Sequence, residues 1–138
     1  MPLIEWNDVF MVNIAQMDEE HKKFIELIND FHKALSESRI QEKLTGLLDG
    51  LVKYAETHFS SEEKLLEQYK CEELEKQREE HAVFMATMVE LRKKYSMGHM
   101  VSAIDIMNFL KSWLIDHIMY EDKKYSDYIK QISKQEEQ

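Results

Sequence analysis

Apolar residues recur along this chain at spacings of three and four, and the stretches that keep that spacing predict four helices. Residues 1–17, with Trp6, Val9, Phe10, Val12 and Ile14, keep no period and read as an irregular arm that packs on the helices. The first helix runs from about Asp18 to about Ser38. Asp18 suits its N-cap, and Phe24, Ile25, Leu27, Ile28, Phe31 and Leu35 make its apolar stripe. The second runs from near Ile40 to about Tyr69, on a stripe that includes Leu44, Leu48, Leu51, Ala55, Phe59 and Leu66. Gly46 and Gly50 fall inside it and cost roughly 1 kcal/mol each against Ala, so they are expected to let a neighbouring helix approach closely. The third covers about Glu72 to Tyr95, Ser96-Met97-Gly98-His99 reads as a turn, and the fourth covers about Ser102 to about Tyr120. A bundle is thus expected over residues 18–128, with a polar, fraying tail over 129–138. Four rods of about 30 Å with short connections give an all-α, antiparallel up-down-up-down four-helix bundle.

Composition agrees. With 138 residues, three Gly and one Pro, the chain suits one domain and lacks the turn-formers of a protein of many short strands. A net charge of −9 disfavours nucleic acid and anionic membrane, which demand a basic face. No apolar stretch is long enough to span a bilayer, and the first residues lack the basic and apolar regions of a signal peptide. Cys71 is the single cysteine, so no internal disulfide can form, and a free thiol near a helix junction is expected. These features together predict a soluble, cytoplasmic protein without a nucleic-acid or membrane partner.

The histidines change the picture. Four of the six, His21, His58, His81 and His117, sit in core-facing patterns, one on each helix. One such His is more often a hydrogen-bonded core residue. Four need four polar partners, and a metal between the helices would satisfy them together. Glu62 follows His58 by four residues and so shares its face at about 100° per residue. Asp122 follows His117 by five, a divergence of about 140° on a straight α-helix. If both serve one site, the helix must end, unwind or bulge between them. Imidazoles with two carboxylates suit iron or another first-row metal, and the carboxylates suit a bridged pair of ions.

The order His21, His58-Phe59-Ser60-Ser61-Glu62, His81-Ala82-Val83-Phe84 and Trp113-Leu114-Ile115-Asp116-His117-Ile118-Met119-Tyr120-Glu121-Asp122 resembles the bacterial hemerythrins. The arm at Trp6-Asn7-Asp8 and the segment from Met17 to Phe24 are similar to that family too. The resemblance spans Trp6 to about Tyr125. It implies two non-haem irons, ferrous or ferric, joined by an oxo or hydroxo bridge and by Glu62 and Asp122. One iron would take His21 and His58 and keep a position for O2; the other would take His81 and His117. Phe59, Phe84, Trp113 and Leu114 would wall the O2 pocket. The implied function is O2 binding for transport, storage or scavenging, with O2 as the partner and a monomer as the expected state, oligomers being left open. No catalytic residue is expected.

One departure concerns the site. The family usually carries a second His four residues before His81, and here that position is Gln77. Gln77 could ligate weakly, hold a water, or leave the position open, and the second iron could then be held weakly. An open position would favour the alternative of a di-iron oxidase, peroxidase or nitric-oxide-handling site; a metal-binding bundle without O2 chemistry is a further alternative. Elsewhere Asn13 stands where Gly is frequent, Glu20 where Gln is more usual, and Cys71-Glu72 where Tyr-Pro is usual. Asn tolerates a positive φ, so a turn at Asn13 is still expected.

Overall fold

The computed structural model describes residues 3–37, 41–97 and 103–137, with the side chains of 41–43 and 133–137 left aside. Among the described residues all regular structure is helical. A 3-10 turn at Asp8–Phe10 is followed by α1 (Ala15–Glu37), α2 (Gln41–Gln68), α3 (Leu74–Ser96) and α4 (Ala103–Asp116). A π-helical turn, His117–Asp122, then joins α4 to α5 (Lys123–Glu137) without a break. The boundaries expected at Ser38, Ile40 and Ser102, and the turn residues Gly98 and His99, lie outside the described residues.

The antiparallel arrangement follows from how two apolar clusters share the helices. The larger cluster holds Phe24 of α1, Phe59 of α2, Phe84 of α3 and Leu114 of α4, with Ile118 of the π turn. The smaller holds Met17, Leu66 and Tyr125, with Leu74 packed against it. Thus α1 and α3 run from the smaller cluster to the larger, while α2 and the α4–α5 rod run the other way. Helix α1 lies beside α2 and α4, and α3 beside the same two, which closes the ring. Each helix carries polar residues between its contributions to the two clusters: His21, Glu62, Gln77 with His81, and Asp122. A polar layer is therefore sealed between two apolar plugs.

Four details differ from the sequence expectation. Helix α1 starts at Ala15, and Asp18 caps the arm instead of the helix. Its carboxylate accepts from the N–H groups of Val12 (2.7 Å) and Asn13 (3.1 Å), while Asn13 takes the expected left-handed turn at φ 60°. The fourth rod does not end at Tyr120 or dissolve into a polar tail. Tyr125 and Ile129 are buried in the smaller cluster, and helix continues to Glu137. Gly46 and Gly50 admit no neighbour, because a Cβ at either would meet nothing within 4 Å.

The arm is pinned by Asn29, whose amide donates to the Ile4 carbonyl (2.8 Å) and whose oxygen accepts from the Ile4 N–H (2.9 Å). Helix α2 ends in a Schellman turn with Lys70 left-handed at φ 52°. There the Cys71 N–H donates to the Leu66 carbonyl (2.9 Å) and that of Lys70 to the Glu67 carbonyl (3.1 Å). Cys71 is a buried free thiol at that junction. Among the described residues, no helix is long and apolar enough to cross a membrane.

Candidate metal centre

The structure brings His21, His58, Glu62, His81, His117 and Asp122 together, and none is more than 3% exposed. Glu62 faces two ways. Its Oε2 lies 3.4 Å from His21 Nε2 and 3.6 Å from His58 Nε2. Its Oε1 lies 2.9 Å from His81 Nε2 and 3.5 Å from His117 Nε2. Asp122 divides in the same sense, with Oδ2 3.1 Å from His21 Nε2 and Oδ1 3.1 Å from His117 Nε2. Each carboxylate thus offers one oxygen to the His21/His58 pair or its member, and the other to the His81/His117 side. Two groups could each hold a metal ion, His21–His58–Glu62 and Glu62–His81–His117.

The π turn makes this possible. An α-helix would carry Asp122 away from His117, as the five-residue spacing required. The wider turn over His117–Asp122 brings them onto one side.

Orphaned atoms test whether ions fit. His21 Nε2 and Asp122 Oδ2 are buried, and neither has a hydrogen-bond partner although they face each other. His81 Nε2 and His117 Nε2 lie 3.3 Å apart, although two imidazole nitrogens bearing lone pairs repel. Two donors bound to one first-row ion at about 2.1 Å are about 3.0 Å apart at a right angle and about 3.4 Å at a tetrahedral one. The separations here, 2.9 to 3.6 Å, fall around those values. The nitrogen and oxygen donor set fits iron or a similar ion.

Outer partners hold two of the imidazoles. His58 Nδ1 lies 2.6 Å from Glu20 Oε1, and Glu20 is itself held by Ser61 (3.0 Å) and Gln16 (2.9 Å). His81 Nδ1 lies 2.8 Å from Glu63 Oε2. With the proton on Nδ1, each ring turns a lone pair on Nε2 towards the centre. Tyr125, 0% exposed, donates its hydroxyl to Glu62 Oε2 at 2.8 Å. Glu63 and Tyr125 went unread in the sequence. Glu63 passes for a surface acid beside Glu62. Tyr125 carried a signal, standing three residues beyond Asp122 and so within reach of the same face once the helix continues.

The charges answer one another. Burial works against ionisation of Glu62, yet His58, His117, His21 and His81 hold it well below the usual carboxylate range. Burial and Glu62 push Asp122 up, and His117 and His21 outweigh them, leaving it lowered. Burial disfavours both imidazolium forms, but Asp122 and Glu62 outweigh it, lifting His21 to about 9 and His117 to about 10. Burial first, then Glu62 and Asp122, push the Tyr125 phenol well above its ordinary range, so it stays a donor.

The four apolar residues expected to wall an O2 pocket sit unevenly. Phe59 stacks on His81, ring centres 4.0 Å apart and 6° from parallel. Trp113 stacks on His117 at 4.3 Å and 14°. Both rings therefore brace the His81/His117 side, and Phe59 also lies 5.8 Å from the His58 ring. Phe84 lies beneath them, 5.3 Å from Phe59 and 4.6 Å from Trp113. Leu114 is buried in the larger cluster.

The family model described as the Hemerythrin HHE cation binding domain matches residues 12–129. The chain is 30% identical over 131 residues to a bacteriohemerythrin of Stenotrophomonas maltophilia, covering 94% of this chain and 84% of the relative. It is also 30% identical over 121 residues to a myohemerythrin of Theromyzon tessulatum, covering 88% of this chain and 89% of the relative. A crystal structure of wild-type hemerythrin superposes with a TM-score of 0.83 at 25% identity, over 91% of this chain and 96% of that one. The polar layer of imidazoles and carboxylates and these matches agree, and the chain belongs to the hemerythrin family.

Proposed function

We propose that this protein holds two iron ions and binds O2 at them, as a carrier, store or scavenger. The observation that carries the reading is the division of Glu62 and Asp122, each with one oxygen towards either half of the centre. His21 and His58 would hold one ion, His81 and His117 the other, with both carboxylates bridging. When bound, such an iron pair supplies electrons to O2 and recovers them on release. The chain's own part is to shield the centre from bulk solvent and fix the ligands. Phe24, Phe59 and Phe84 seal the layer from the larger cluster, and Met17 and Leu66 from the smaller. Glu20 and Glu63 orient the imidazoles, and Tyr125 holds Glu62 in place.

The test is to load purified protein anaerobically with ferrous iron, count metal per chain, and record the absorption spectrum before air, after air and after vacuum. The expected result is about two irons per chain and an oxygen-dependent charge-transfer band that reverses. One iron per chain, or oxidation that does not reverse, overturns the reversible-binding reading.

A further inference from the structure

Gln77 lies on α3, four residues before His81 and on the same face one turn away. Its side chain is 0% exposed. Nε2 donates to Asp122 Oδ1 at 2.8 Å, and that oxygen is the one facing His117. Oε1 has no partner at all. A buried amide carbonyl left unpaired is costly, so an unpaired one beside a ligand cluster points to a guest there, an ion or a molecule that donates to it.

The two halves of the centre also match. Each has a pair of imidazoles and one oxygen of Glu62, with an oxygen of Asp122 turned to each side. Four protein donors leave a six-coordinate ion two positions, and one of these can be taken by an atom shared between the ions. On the His81/His117 side the one further group among the described residues is Gln77 Oε1, left free while the amide hydrogens turn to Asp122, and a neutral amide oxygen is a poorer donor to a first-row ion than an imidazole. Solvent comes close to that side. A surface cleft of about 500 Å³ is lined by His117 with Glu80, Trp113 and Tyr120, and another of about 460 Å³ by His81 with Phe59 and Arg78.

We propose that the His81/His117 metal position is a second ligand-binding site, with one exchangeable position for a small protic ligand whose O–H or N–H donates to Gln77 Oε1. Water is its resident. The inference rests on the dinuclear reading above. Gln77 is a positioning residue here, acting on the ligand and on Asp122 and not on the ion.

Cobalt(II)-loaded protein tests it, because cobalt reports coordination through its visible bands without redox turnover. Metal per chain is counted first, and fewer than two ions overturns the dinuclear reading and this inference with it. Hydroxylamine is then titrated as the protic probe. The expected outcome is two bound per chain in the wild type and one in Gln77→His, whose imidazole fills the position. Gln77→Leu, near-isosteric and therefore the safer fold, is expected to keep the space and weaken the second event about tenfold. Azide, which has no proton to donate, is expected to bind Gln77→Leu as it binds the wild type. Equal hydroxylamine stoichiometry in wild type and Gln77→His overturns the proposal. A second ligand that appears only in Gln77→Leu also overturns it, since Gln77 would then itself occupy the metal.

Discussion

Tyr125→Phe isolates one hydrogen bond in the buried layer. The Tyr125 hydroxyl donates to Glu62 Oε2 at 2.8 Å, and both side chains are sealed from water. The substitution removes the O–H and leaves the ring packed in the smaller cluster. A hydrogen bond to a charged acceptor contributes about 1.5–3 kcal/mol, and a buried carboxylate oxygen cannot recover it from solvent. Glu62 Oε2 also faces His21 and His58, at 3.4 and 3.6 Å, which share its charge. The expected loss is therefore near the lower half of that range, about 2 kcal/mol. For a chain of this size that lowers the thermal midpoint by roughly 6 °C. The assay is denaturant unfolding of chelator-treated wild type and variant, read by circular dichroism. The same change should weaken metal retention about 10- to 100-fold, since Glu62 loses the group that aims it. A stability change below about 0.5 kcal/mol would refute the reasoning, because it is what a surface substitution gives.

Three further outcomes are expected. Gly46→Ala and Gly50→Ala should each stabilise the protein by about 1 kcal/mol, because a Cβ there meets open space within a helix; thermal unfolding checks this, and a loss would show a close approach after all. In the apoprotein His21 and His117 sit at about 9 and about 10, above the ordinary 6.5. They therefore stabilise the apoprotein fully below about pH 6.5 and cease to as pH rises through 9 to 10. Metal must displace those protons, so its affinity should rise with pH up to that range, and uptake at pH 8 should release protons. Calorimetry in buffers of different ionisation enthalpy measures the release, and none at pH 8 would refute the assignment. Cys71 is 6% exposed, and burial pushes its thiol up. Its alkylation at pH 8 should be far slower in the native protein than in denaturant, and equal rates would contradict its burial.

What the sequence showed of this site depended on which signals were periodic. Helix-facing His21, His58, His81 and His117 stand on apolar stripes, so their convergence follows from helical spacing alone. The His117–Asp122 spacing was informative because it broke the period. It demanded an irregular helix, and a π turn is how the chain meets that demand. That same turn hid the rest of the rod. A helix expected to stop at Tyr120 leaves Tyr125 beyond its end, whereas a widened turn lets the helix continue and bury Tyr125 against Glu62. The glycines misled for the opposite reason: Gly in a helix has a propensity cost that suggests a purpose, yet here the space beside it is empty. Glu63 and the partition of the carboxylate oxygens carry no periodic trace, since they depend on side-chain torsions and on residues 18 positions apart. Gln77 lies between these cases. Its identity marked a missing imidazole, and its geometry adds an amide that donates to Asp122 and a buried carbonyl without a hydrogen-bond partner. The polar layer thus reads from sequence as a list of donors, and from structure as two half-sites whose difference rests on one amide.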